Sequence, residues 1–98
     1  MASDTAPVGI LTVELHIPDS QSLKSKRRIL LSLKDRLKSR FNISVAEIGD
    51  LDKWQTATLG ICMIANDQKY VEAGLQKILN FIEDFDGARI MRQSVEFL

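Results

Sequence analysis

Val8-Gly9-Ile10-Leu11-Thr12-Val13-Glu14-Leu15-His16-Ile17-Pro18 puts Leu11, Val13 and Leu15 on one side of an extended chain and Ile10, Thr12, Glu14 and His16 on the other. This period-two alternation is that of a strand buried on one face. Pro18 removes a backbone donor and ends it. Asp19-Ser20-Gln21-Ser22 then supplies helix N-caps, because a short side-chain oxygen accepts from the orphan N–H groups of a first turn. The helix that follows is expected to run to about Arg40, with Leu23, Leu30, Leu33, Leu37 and Phe41 on one stripe and Lys24, Arg28 and Asp35 opposite. Lys26 does not obey this division. It lies about 40° from the centre of the apolar stripe by the 3.6-residue period, so its ammonium must snorkel past the end of the core or find a partner there.

Residues 43–50 and 55–65 carry the β-branched, alternating character of strands, and the polar turn Leu51-Asp52-Lys53-Trp54 joins them as a hairpin. Asn66-Asp67 caps a second helix whose apolar positions are Val71, Leu75, Ile78 and Ile82. Gly74 inside it costs about 1 kcal/mol relative to alanine and predicts a close contact with a neighbour. Gly87 marks a turn or a helix C-cap, and residues 88–98 read as a last strand. The order is βαββαβ. Two strand-helix-strand units of this length, each burying one helix stripe, are accommodated as a four-stranded antiparallel sheet with both helices on one face, the ferredoxin-like α+β arrangement. Right-handed crossovers put the first and third strands in the centre, so Leu11, Val13, Leu15, Leu59, Ile61 and Met63 are expected under the helices.

The other face of that sheet, with Ile10, Thr12, Thr58, Gly60, Cys62 and Ile64, is too apolar and small for free solvation, and the expectation is a homodimer packed through it. The competing reading is a mildly apolar but exposed face, since ordinary surfaces are already half apolar.

Ninety-eight residues suit one domain, expected over residues 8–98 with residues 1–7 as a loose tail. That tail lacks the basic and apolar regions of a signal peptide, and no apolar run approaches the ~20 residues that cross a bilayer. A lone Cys62 excludes an internal disulfide and suits the reducing cytosol. In an apolar run it reads as a packing residue before it reads as a nucleophile.

Formal net charge is zero, yet eight of the thirteen Lys and Arg residues fall within residues 22–40. Four of them, Lys24, Lys26, Arg27 and Arg28, occupy the first two turns of the helix, where the dipole disfavours positive charge. An anionic compensating group is expected. The candidate anion- or RNA-binding set is therefore Ser22, Lys24, Lys26, Arg27 and Arg28, with Trp54 brought to the same end by the hairpin.

The stretch quoted first, together with Ser20-Gln21-Ser22-Leu23-Lys24-Ser25-Lys26-Arg27-Arg28, Phe41-Asn42-Ile43-Ser44-Val45-Ala46-Glu47 and Asp52-Lys53-Trp54-Gln55, resembles the YlxP-like family of small bacterial proteins. The likeness runs from Val8 over nearly the whole chain. It implies the ferredoxin-like fold and little chemistry, the family being of unknown function. Its genes are associated with a translation and ribosome-maturation neighbourhood, which is an association and not a mechanism.

Three classes of function compete. The first is a module that contacts RNA or ribosomal particles through the basic helix start, positioning on phosphates without reading sequence. Against it stand the balanced charge, the absence of exposed aromatics on the central strands and the lack of a Gly-x-x-Gly clamp. Trp54 could stack on a base or close a core or interface. The second is a dimeric interaction scaffold in which the basic residues are solvated or paired with Asp19, Asp35, Glu47, Asp50 or a second subunit's carboxylates. The third is an enzyme using Glu14 and His16, two residues apart on one strand face. No nucleophile elbow, phosphate loop, Cys-x-x-Cys or paired metal ligand accompanies them, and the arginine-bearing loop of acylphosphatase-type hydrolases is replaced by Pro-Asp-Ser-Gln-Ser. The expectation is a non-catalytic cytoplasmic protein without metal or cofactor.

Overall fold

The computed structural model describes residues 6–98, so most of the expected tail lies outside the described residues. Six elements follow one another: β1 (Val8–His16), α1 (Leu23–Arg40), β2 (Ser44–Gly49), β3 (Thr56–Ile64), α2 (Gln68–Glu83) and β4 (Arg89–Phe97). The strands form one antiparallel sheet in the order β2-β3-β1-β4. This is the ferredoxin-like α+β fold.

Why both helices lie on one face follows from the alternation. Leu11, Val13 and Leu15 on β1 and Ala57, Leu59, Ile61 and Met63 on β3 are buried, while the residues between them are only half covered or exposed. Leu30, Leu33 and Leu37 of α1 and Val71, Leu75, Ile78, Leu79 and Ile82 of α2 complete that core. The central pairing runs Val8 opposite Ile64 through to His16 opposite Thr56, which puts Ile10 beside Cys62, Thr12 beside Gly60 and Glu14 beside Thr58 on the open face.

The local signals behave as their chemistry requires. Ser22 is the cap of α1, its extended backbone letting Oγ accept from Ser25 N at 3.0 Å. Asp67 caps α2 by accepting from Lys69 N at 3.3 Å. Gly74 does mark a close approach, because a Cβ there would stand 2.6 Å from Met63 Sδ. β1 stops one residue short of Ile17, which is nonetheless fully buried and donates its N–H to Gln55 O at 2.8 Å. The hairpin loop is longer than the four-residue turn read from sequence, with Asp50 in the left-handed region at φ 60°.

Candidate functional site

The start of α1 and the β2–β3 loop meet at one end of the molecule, and side chains from both segments fasten them together. Gln55 Nε2 donates to Pro18 O at 3.2 Å and to Ser20 O at 3.1 Å. Ser20, fully buried, turns its Oγ back to donate to Ser22 O at 3.1 Å, which holds the cap residue in place. The loop between β1 and α1 is therefore braced from inside.

Lys26 is the centre of this junction. Its side chain is only 1% exposed, and its Nζ donates to Asp50 O at 2.7 Å and to Thr56 O at 3.2 Å, the two ends of the hairpin loop. Glu47 Oε2 lies 2.8 Å from the same nitrogen, an ion pair whose angles fall outside those of a hydrogen bond. An ammonium has three donors and no acceptor; two of them go to these carbonyls, and the carboxylate balances the charge. The position on the apolar stripe is explained: Lys26 is a buried clamp. It is thereby removed from the set of side chains that can reach an external anion, a correction to the candidate site forced by the side-chain direction at that helical position.

What remains of the candidate set, Ser22 apart, is exposed. Lys24, Arg27 and Arg28 all face solvent, within about a 100° sector of the helix by its 3.6-residue period. The first turn contains no acidic residue. Among the described residues none of these three cations makes an ion pair: the pairs are Lys26 with Glu47, Lys53 with Asp50 and Arg92 with Glu14. Trp54, 56% exposed, stands on the loop that Lys26 anchors and lies outside the core. Ser22 is occupied with its own helix.

Farther along α1 two of the basic residues have internal duties. The guanidinium of Arg36 lies 5.5 Å from the centre of the Phe85 ring and that of Arg40 4.9 Å from Phe81, cation–π contacts onto α2 and the turn after it. Nothing in the spacing of the sequence pointed to these pairs, since they depend on how the two helices lie against each other.

Glu14 and His16 do share the open sheet face, but Glu14 is met by Arg92 Nε at 3.8 Å across the β1–β4 pair. Among the described residues no group of three or more His, Cys, Asp and Glu side chains converges. Thr12, Thr58 and Gly60 lie on that face as expected, with Ile10 and Cys62 half covered and Ile64 55% exposed. Ile48 joins them over Gly60, and a shallow apolar depression of about 320 Å³ opens there. No helix among the described residues is long and apolar enough to cross a membrane.

Fold and site together define a small α+β protein with a basic helix start locked to a hairpin. The chain belongs to the family described as "Protein of unknown function (DUF503)", whose model matches residues 8–95. It is 37% identical over 78 residues to "Uncharacterized protein YlxP" of Bacillus subtilis (strain 168), covering 80% of this chain and 85% of that protein. Among solved structures, the "De novo designed protein Foldit4" superposes with a TM-score of 0.52 at 15% identity, over 93% of this chain and 96% of that one. The last likeness is one of fold alone.

Proposed function

We propose that this protein is a non-catalytic cytoplasmic module that contacts RNA in ribosomal particles through Lys24, Arg27 and Arg28. The observation that carries the reading is that these three exposed cations crowd the start of α1 with no carboxylate partner among the described residues. Their placement is rigid, since Lys26 and Gln55 tie the helix start to the hairpin. An exposed indole at the same end offers a stacking surface for an unpaired base, which favours RNA over a simple anion.

The test is a salt titration of binding to ribosomal particles and to structured RNA. Replacing Lys24, Arg27 and Arg28 together with Gln is expected to flatten the slope of log K against log salt by about 2, from the counterions no longer released. Trp54→Ala is expected to weaken binding by about 1–3 kcal/mol, and far more on single-stranded than on duplex RNA. Association that is absent, or that ignores salt, defeats the proposal.

The apolar depression at Ile10, Ile48, Gly60 and Cys62 favours a second reading, a scaffold that packs its open sheet face on another copy. Under it the triple Gln variant leaves every ribosomal readout unchanged.

A further inference from the structure

β4 is an edge strand of nine residues, hydrogen-bonded on one side to β1 and on the other to nothing among the described residues. Edge strands are normally blunted by charged side chains, lysine above all, by proline, by shortness or by a bulge along their length. The opposite edge obeys this: β2 has six residues and a bulge between Glu47 and Gly49. In β4 the only irregularity lies near its start, where it opposes Glu14 and Leu15; it contains neither lysine nor proline, and past the bulge its two charges, Arg92 and Glu96, are of opposite sign and so can complement a second copy. Past the bulge, Arg92 to Phe97 run regularly, with Val95 45% and Phe97 38% exposed beside an apolar groove that Leu75 and Leu79 of α2 also line.

We propose that β4 pairs antiparallel with β4 of a second copy about a two-fold axis at Ser94, making a homodimer with one continuous sheet. The register follows from two facts. Leu98 N donates to Val8 O at 3.0 Å, so by the alternation of backbone groups Arg92, Ser94 and Glu96 also turn theirs toward β1, while Gln93, Val95 and Phe97 present theirs outward. Outward groups must meet outward groups, which limits the axis to Gln93, Ser94 or Val95. Of these, only Ser94 sets Arg92 directly across from Glu96 of the second copy, twice by symmetry.

Charge complementarity therefore selects that register. Glu96 lies opposite Ile10 within its own subunit and has no ion-pair partner among the described residues. Arg92 is 79% exposed and holds Glu14 only at 3.8 Å, leaving its guanidinium free to bridge to a second carboxylate. Four strands from each copy give a sheet of eight, with all the helices on one side. The association is independent of the anion contact and uses a different surface from the open sheet face.

Cysteine cross-linking in a Cys62→Ser background, which removes the chain's single thiol, tests both dimer and register. At tens of micromolar under mild oxidation, Ser94→Cys is expected to convert largely to a disulfide dimer, because across the axis it faces itself at a side-chain-close pair. Gln93→Cys is expected to stay mostly uncross-linked. By sedimentation the wild-type chain is expected to be dimeric, with Glu96→Arg weakening association at least about tenfold and leaving the far-UV spectrum unchanged. A wild-type monomer, equal cross-linking at positions 93 and 94, or a dimer indifferent to Glu96→Arg but abolished by Ile48→Glu would each overturn the proposal.

Discussion

Removing the Lys26 ammonium while keeping a stem of similar length isolates the three oxygens it serves. Lys26→Met leaves the Asp50 and Thr56 carbonyls without their donor and the Glu47 carboxylate, 15% exposed, without its cation. The expected loss is about 3 kcal/mol, read as a lower urea midpoint, because a buried charge stripped of its partner is left uncompensated. Adding Glu47→Leu is expected to return much of that stability, since an apolar pair of similar volume carries no desolvation penalty. The need for a partner was legible in the sequence, as a cation lay on an apolar stripe. The identity of the partner was not: Glu47 turns toward α1 only because β2 pairs with β3 in the register that puts it beside Leu59 on the helix face.

Between elements, α2 lies tightly on β1. A Cβ on Gly9 would stand 2.8 Å from both Leu75 Cδ1 and Val71 Cγ1, two core side chains with no room to retreat. Gly9→Ala is thus expected to cost about 1–3 kcal/mol by overpacking. Gly74→Ala presses instead on the flexible end of Met63, and the gain in helix propensity offsets much of the strain, so a smaller change in the same thermal or urea measurement is expected. Ser22→Ala removes the α1 cap and is expected to cost about 1 kcal/mol. Element types and order were readable because β1, β3 and both helices have clean periodicities. The loop between β2 and β3 was misjudged in length, since its two ends are drawn together by Lys26 from another element and no local pattern encodes that.

At the scale of the whole molecule, six of the eight basic residues of α1 separate into two populations. Lys26, Arg36 and Arg40 serve the fold, through an ion pair and two ring contacts. Lys24, Arg27 and Arg28 make no ion pair within the described residues, so neutralising those three is expected to leave the unfolding free energy from urea titration within about 0.5 kcal/mol of wild type. From composition alone the two groups are indistinguishable, which is why the sequence over-counted the outward-facing cations by one. With equal numbers of acidic and basic residues and a pI near 6.6, bulk titration describes a nearly neutral particle. Its cationic pole nonetheless makes it an electric dipole, and on a sulfonate resin at neutral pH and low salt it should be retarded where an evenly charged isomer of identical composition would wash through.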